Sequence, residues 1–278
     1  MSRRLRRAAA LVSGAALALP ALPTAAAERP LWELGLGVGA LRLPHYRGAD
    51  QSHAWLLPVP YLVYRGEIFK ADRDGARAVL VETDRFDFDL SAGAGAPTRS
   101  EDNDARRGMD DLAPTFELGP NLNWTLSRGT GWKLDLRAPL RAAFTLESKP
   151  RAIGWVATPN VNLDLPDVGN SGWNLGMLAG PVFGSRRYNA YFYDVPEADA
   201  TPGRPAYRAR AGYGGLQFVA ALSRRFDRSW AGLFVKFDSL HGARYGDSPL
   251  LRQREHLSFG IAYSWIFATS SAQVSTRD

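Results

Sequence analysis

The sequence contains no cysteine and only four histidines among its 278 residues. Without cysteine, disulfide bonds, thiol chemistry and thiolate metal sites are excluded. Beyond residue 27, no stretch reaches the roughly 18 uninterrupted apolar residues that a membrane-spanning helix needs. A helical membrane protein is therefore excluded, and the four histidines provide few candidates for catalytic residues.

The first 27 residues have the organisation of a secretory signal peptide. Four arginines within residues 3–7 precede an uncharged stretch, residues 8–22, and Ala25, Ala26 and Ala27 are small enough for cleavage. An N-terminal anchor helix is the alternative, which Pro20, Pro23 and the short apolar run oppose. We therefore expect residues 1–27 to be removed after export.

Removal of this leader changes the charge balance of the chain. The whole sequence carries 34 Lys and Arg against 28 Asp and Glu, a formal net charge of +6. Loss of the four leader arginines leaves 30 basic against 28 acidic residues, or +2. This balance gives no electrostatic case for binding nucleic acid.

The last strand-like run, residues 254–267, alternates large apolar residues with small or polar ones. A soluble sandwich would carry charge on its second face, whereas a small second face suits the inside of a barrel whose bulky face contacts lipid. A terminal strand that ends in Phe also resembles an outer-membrane assembly signal, which we assign to Tyr263, Trp265 and Phe267. The complete bulky row is Leu257, Phe259, Ile261, Tyr263, Trp265 and Phe267.

The same alternation recurs along the chain and confines charge to one face. From Trp132 to Leu146, apolar residues occupy one face, and the charged residues occupy the other. Charges on one face of so long a strand need an aqueous or paired interior. The candidate lumen charges are Glu33, Asp87, Asp89, Lys133, Asp135, Arg137 and Arg141.

Long polar loops alternate with tight turns, which is typical of outer-membrane barrels. The long loops are residues 97–111, 185–211 and 241–253, and the short turns are residues 128–131, 166–172 and 226–229. If both chain ends are periplasmic, the strand number is even, and residues 67–81 must form two strands.

The sequence therefore predicts an all-β, transmembrane, antiparallel up-and-down β-barrel of about twelve strands over residues 28–267. A short tail, residues 268–278, would follow. Pro58 and Pro60 predict bending or irregular pairing of their strand. If that segment folds inward, a barrel of about ten strands is the alternative, and a soluble periplasmic β-sandwich is the other.

Several motifs resemble the MipA/OmpV family of outer-membrane proteins, named for an MltA-interacting protein. The most specific is the aromatic run of residues 188–195. The complete set is residues 35–39 (GLGVG), 44–50 (PHYRGAD), 57–61 (LPVPY), 188–195 (YNAYFYDV), 204–207 (RPAY) and 247–250 (DSPL). The set spans the mature chain, and the continuation beyond Phe267 is a departure from barrels that end at their terminal Phe.

This resemblance implies an outer-membrane barrel without catalytic activity or cofactor, in contact with outer-membrane lipid and lipopolysaccharide. For the founding member it implies a scaffold that links a murein hydrolase, a lytic transglycosylase, with a penicillin-binding murein synthase. Other members resemble porin-type or adhesin-type proteins. A small diffusion channel and a surface adhesin therefore remain alternatives.

The loop of residues 185–211 is the best candidate for a plug in the barrel mouth or for a recognition surface, because tyrosine is favoured at interfaces. Its candidate residues are Tyr188, Asn189, Tyr191, Phe192, Tyr193 and Tyr207.

Two other chemistries have weaker support. His45, His53 and His241 lie in loops near acidic residues, so a lipid-modifying hydrolase is a further alternative, although no nucleophile motif supports it. The acidic residues 101–104 lack the spacing of a calcium loop. Arg106 and Arg107 would neutralise this acidic run or contact lipopolysaccharide phosphates.

Overall fold

The computed structural model describes residues 27–66, 69–72 and 75–276. The predicted leader therefore lies outside the described residues except for Ala27. The strands are β1 (Ala27–Pro30), β2 (Trp32–Pro44), β3 (Ser52–Arg65), β4 (Phe69–Asp72), β5 (Gly75–Glu82), β6 (Phe86–Gly95), β7 (Thr115–Gly129), β8 (Trp132–Thr145), β9 (Ala152–Ala157), β10 (Asn160–Leu165), β11 (Trp173–Gly184), β12 (Gly212–Arg225), β13 (Ser229–Ser239), β14 (Glu255–Thr269) and β15 (Gln273–Thr276). One α-helix, α1 (Arg186–Tyr193), and three 3-10 turns (Ser100–Asp102, Val168–Asn170 and Glu197–Asp199) lie in the connections.

The strands from β2 to β14 form a closed antiparallel barrel. Each strand pairs with the next along the chain, and β14 closes the circle by pairing with β2. β9 and β10 both lie between β8 and β11, so they are two halves of one interrupted strand. Across the described residues the circumference therefore has twelve strand positions, which confirms the predicted up-and-down barrel. The two strands predicted within residues 67–81 are the short hairpin of β4 and β5.

The outside of the barrel is apolar and the inside is small or polar, as the alternation predicts. In β14, Ile261, Trp265 and Phe267 are 58–63% exposed, whereas Ser258 and Ser264 on the opposite face of the strand are buried in the lumen. Tyr263, the other residue of the proposed assembly signal, also points outward. A surface of this kind is stable only where lipid replaces water around the barrel. None of the described helices is long and apolar enough to span a membrane.

Glycines of β2 allow its neighbouring strands, β14 and β3, to approach it closely. A Cβ added at Gly37 would collide with the carbonyl oxygen of Tyr263 and the hydroxyl of Ser264. A Cβ added at Gly39 would meet Val59 Cγ2 at 2.7 Å. These glycines face the lumen, and the larger inward residues of β3 lie beside them.

The prediction of irregular pairing at Pro58 and Pro60 is wrong on the β2 side, whereas on its other edge β3 pairs with β4 only at Tyr64 and Arg65. β3 pairs with β2 from Ser52 to Tyr64 without a register shift. Proline is tolerated in a strand where its nitrogen faces an unpaired edge. Arg65 N–H donates to the Leu31 carbonyl on the β2 side, so the alternation of the strand turns the nitrogens of residues 58 and 60 away from β2.

The two chain ends meet at one end of the barrel. β1 pairs with β15 in an antiparallel ribbon, and the Leu31 N–H donates to Ser270 Oγ at 2.9 Å. We call this the turn end, because it also carries the connections at residues 83–85, 130–131, 166–172 and 226–228. The opposite, loop end carries residues 45–51, 96–114, 146–151, 185–211 and 240–254. β14 continues two residues beyond Phe267, to Thr269.

Gly37→Ala tests whether the close approach of β2 and β14 is required. We expect this change to lower the free energy of unfolding by about 2 kcal/mol, because overpacked side chains force the strands apart. Urea titration of the refolded barrel in detergent measures the effect. Gly203→Ala is the control, since a Cβ at residue 203 meets no atom within 4 Å; equal stability of the two variants would contradict the packing argument.

Candidate functional site

A buried carboxylate joins three strands near the turn end of the lumen. Glu33 on β2 is 1% exposed, and its two oxygens accept hydrogen bonds from Arg65 Nη2 at 2.7 Å and from Arg225 Nε at 2.8 Å. Arg225 belongs to β12, which is separated from β2 by β13 and β14. The ion pair therefore crosses the lumen rather than following the wall. Beside it, the rings of Tyr61 and Trp230 lie 5.9 Å apart.

A second polar cluster lies on β6 and β7. Asp89 is 2% exposed and accepts hydrogen bonds from Asn121 Nδ2 at 3.2 Å and Asn123 Nδ2 at 2.7 Å. Asp87 is the preceding lumen-facing position of β6. The amides satisfy a carboxylate that would otherwise be costly to bury.

Ion pairs continue across β8 and β10. Asp135 is 1% exposed and lies 3.2 Å from Lys133 Nζ and 3.6 Å from Arg137 Nη2. Arg137 also reaches Asp164 Oδ2 at 3.3 Å, and Asn162 donates to the same oxygen at 2.7 Å. The candidate lumen charges of these strands thus lie on the inner face and are paired there.

The loop end of the lumen is tied to helix α1. Arg141 Nε donates to Glu117 Oε2 at 3.0 Å, and the hydroxyl of Tyr188 donates to Glu117 Oε1 at 3.1 Å. Ser185 caps the helix by accepting the Tyr188 N–H at 3.2 Å. Burial raises the pKa of Tyr188 well above its usual value, so the hydroxyl keeps its proton at neutral pH and acts as a donor.

The connections of the loop end share a hydrophobic core of their own, which we call the loop plug. Four of the five described loops contribute to it. Its buried members are Tyr46, Ala49, Leu112, Tyr193, Val195, Ala209, Leu240, Ala243, Tyr245 and Leu250, with Tyr191, Phe192 and Tyr207 packed against them.

Stacked tyrosines join these loops. The rings of Tyr193 and Tyr245 lie 3.8 Å apart at an interplanar angle of 12°. The hydroxyl of Tyr193 donates to the Arg47 carbonyl at 2.7 Å, and that of Tyr46 donates to the Leu250 carbonyl at 2.7 Å. Burial raises the pKa of Tyr193, so this hydroxyl also stays protonated. The loops therefore pack as one body.

The remaining candidate residues of the loop at 185–211 take part in the same packing. Asn189 is 2% exposed and donates to the Arg210 carbonyl at 2.8 Å. Tyr191 donates to the Ala113 carbonyl at 3.3 Å, the Phe192 carbonyl accepts from Arg106, and Tyr207 forms a β-bridge with Val195. The contacts of Asn189 and Tyr207 lie within this loop, and those of Tyr191 and Phe192 reach the loop at residues 96–114.

Asp238 joins the loop plug to the barrel wall. It is 1% exposed, and its oxygens lie 2.8 Å from Arg47 Nε, 3.2 Å from Lys236 Nζ and 3.5 Å from His256 Nε2. Arg47 comes from the first loop, and the other three residues belong to β13 and β14. The distance of 3.5 Å from His256 Nε2 to Asp238 is too long for a well-formed hydrogen bond.

Sequence reasoning missed this junction. Lys236 and Asp238 alternate with the apolar residues of β13, which was a usable signal for lumen charges. No comparable signal exists for Arg47, because it lies in a loop whose contacts depend on the folded plug. The same is true of Tyr46 and Tyr245.

The other candidate groups are the histidines predicted in loops, of which His45 and His53 have ring centroids 6.4 Å apart. Asn103 Nδ2 contacts His45 Nδ1 at 3.2 Å, while burial and the neighbouring His53 lower the pKa of His45. His241 pairs with Glu255 at the exposed rim. Among the described residues, no group of three or more His, Asp or Glu is close enough to hold a metal ion.

The two adjacent arginines of the acidic loop have different environments. Arg106 is 4% exposed and donates to the Asp110 carbonyl at 3.0 Å inside the plug. Arg107 is exposed and pairs with Asp104 at 2.6 Å. Arg106 is therefore a packing residue, and Arg107 is the one that lies on the surface.

Asp238→Asn tests the junction between plug and wall. We expect it to lower the free energy of unfolding by about 3 kcal/mol, because removal of one partner leaves buried charges uncompensated. Limited proteolysis should also cleave residues 240–254 sooner. Asp104→Asn is the control, since its 70% exposed side chain makes a surface pair worth about 1 kcal/mol or less. Matching effects of the two changes would refute the role given to Asp238.

Three solved structures have barrels similar in outline, with TM-scores below 0.5. The NanC porin is 9% identical, with 83% of this chain and 98% of that chain covered and a TM-score of 0.40. An active-site mutant of outer membrane phospholipase A from Escherichia coli is 10% identical, with 90% and 95% covered and a TM-score of 0.34. An outer membrane channel from Pseudomonas putida F1 is 12% identical, with 84% and 96% covered and a TM-score of 0.35.

Comparison with curated proteins gives no match. A family model described as "MltA-interacting protein MipA" matches residues 36–267, which is most of the chain and all of the barrel except residues 32–35 and 268–269 at its ends. This match confirms the resemblance that the motifs indicated. The chain belongs to the MipA family.

Proposed function

We propose that this protein is a non-catalytic outer-membrane scaffold that holds a lytic transglycosylase and a penicillin-binding murein synthase at its periplasmic face. The observation that carries the proposal is the closure of the barrel: the Glu33–Arg225 pair crosses the lumen and the loop plug packs over its mouth. Such closure disfavours the passage of a solute, and the family description names an interaction with MltA. The function then resides in the surface of the barrel rather than in its bore.

The turn end is the face that periplasmic enzymes would contact. Its connections are short, and exposed charged side chains project from them, among them Arg85, Arg128, Asp227 and Arg228. The β1–β15 ribbon lies on the same side. Exposed charges on a rigid rim favour selective and reversible association.

Planar-bilayer conductance separates the scaffold from the alternative of a diffusion channel. We expect the purified barrel to show no stepwise conductance, because the loop plug closes the loop end. A variant in which a short glycine-serine linker replaces residues 186–208 should conduct in steps, since it lacks α1 and much of the plug. Stepwise conductance of the unmodified barrel equal to that of the variant would contradict the closure of the barrel.

Capture of murein enzymes from mildly solubilised envelopes tests the scaffold directly. The unmodified protein should enrich a lytic transglycosylase and a penicillin-binding synthase above an unrelated barrel. Arg85→Glu with Arg228→Glu should abolish this enrichment, because both reverse exposed charges at the turn end. Arg208→Glu with Arg210→Glu makes the same change at the loop end and should preserve it. If the loop-end pair removes binding and the turn-end pair does not, the contact face is assigned wrongly.

A further inference from the structure

The barrel wall has a gap between β3 and β6. β3 is 14 residues long and β6 has 10, but the two strands between them, β4 and β5, have only 4 and 8. β4 pairs with β3 only at Tyr64 and Arg65, and β5 reaches β6 only as far as Ser91. Within the described residues, the rest of the β3 edge has no neighbouring strand. At the usual strand spacing of about 4.8 Å, two absent strands leave about 14 Å of wall open.

The opening is bounded on all sides, so it is a window rather than a split barrel. The hairpin of β4 and β5 lies below it. Above it, the first loop contacts the loop that follows β6: Thr98 donates to the His45 carbonyl, and the Asp104 N–H donates to Gln51 Oε1 at 2.6 Å. The far side is the small-residue end of β6, Ala92 to Gly95.

The strand register places this window at the level of the lipid. Pro58 lies opposite Val38 of β2, and Val38 lies opposite Tyr263 of β14. In the same way, Leu56 lies opposite Ala40, and Ala40 lies opposite Ile261. The open edge is therefore level with the apolar row of β14, which contacts lipid acyl chains.

An open sheet edge is not stable when it faces hydrocarbon directly, but it is tolerated where it lines a cavity. The obvious partner, a strand from a second copy, fits poorly. Six residues, the even-numbered positions from Ser52 to Leu62, turn their backbone toward the open edge, and two of them, Pro58 and Pro60, have no N–H to donate. Prolines in this position are a means by which proteins prevent strand addition.

The inner wall behind the window is apolar. Trp55, Leu57 and Val59 point into the lumen from β3, opposite Leu41 and the glycines of β2. Leu57 is 41% exposed although it lies on the lumen face. An apolar side chain that is accessible from the lumen, next to a gap at bilayer depth, matches the chemistry of a hydrocarbon chain.

From this geometry we infer that the window admits an acyl chain of the surrounding bilayer, which lies against Trp55, Leu57 and Val59 inside the barrel. The headgroup stays outside at the membrane surface, and only the chain enters. The site is independent of the turn end, so it neither requires nor excludes a scaffold role.

Fluorescence quenching by brominated lipid tests the inference. The chain has no cysteine, so a single introduced cysteine labelled with bimane reports one position. Leu57→Cys carries the probe at the window. Ala262→Cys is the matched control. Residue 262 faces the lumen and lies opposite Gly39, which in turn lies opposite Leu57, so the two probes are level. Unlike β3, the strand of residue 262 is fully paired on both sides, with β13 and β2. Ile261→Cys marks full contact with lipid.

In bilayers of phosphatidylcholine brominated on its acyl chains, the probe at residue 57 should be quenched at least half as strongly as that at residue 261. The probe at residue 262 should be quenched less than a tenth as strongly. Val59→Cys replaces Leu57→Cys if the latter fails to fold. Quenching at residue 57 as weak as at residue 262 overturns the inference, and so does equal quenching at all three positions, since lipid would then enter through the mouth. If the probe at residue 57 is protected from quenching because two copies form a dimer through β3, the open edge belongs to a second copy instead.

Discussion

Backbone polar groups surrounded by lipid have no water with which to form hydrogen bonds, so the sheet must close on itself. That constraint accounts for the pairing of β14 with β2 and for the division of every strand into a lipid face and a lumen face. It also explains the glycines of β2, which allow β14 and β3 to approach closely. Where the wall is short, at β4 and β5, the same constraint demands that the free edge of β3 line an opening.

Inside the barrel, each buried charged side chain needs a partner of opposite charge or a hydrogen-bond donor. Glu33 satisfies it with arginines from β3 and β12, Asp135 with Lys133 and Arg137 of its own strand, and Asp238 with Arg47 of the first loop. Because Arg225 reaches Glu33 across the lumen, this pair also occupies part of the bore. The tyrosines of the loop plug complete the closure with apolar packing, and a protein closed in this way is better suited to holding partners than to passing solutes.

Much of the barrel could be predicted from the sequence because alternation along a strand is a local signal. The outward row from Leu257 to Phe267, the loop and turn positions, and the strand number all follow from it. The continuous pairing through Pro58 and Pro60 could not be predicted, since it depends on the absence of a full-length neighbour. The junction of Arg47 with Asp238 could not be predicted either, because residues 191 positions apart meet only when the loops have packed.

The claim that the loops form a second core is tested most directly by hydrogen–deuterium exchange of the barrel in lipid nanodiscs. Backbone amides at Asn189, Asp194, Val195, Leu240 and Ala243 are hydrogen-bonded within the plug. Peptides covering residues 186–195 and 240–250 should therefore exchange as slowly as peptides from β13 and β14. Complete exchange of both peptides within seconds, while the strands stay protected, would show that the loops are open and would contradict the closure of the barrel on which the proposed function rests.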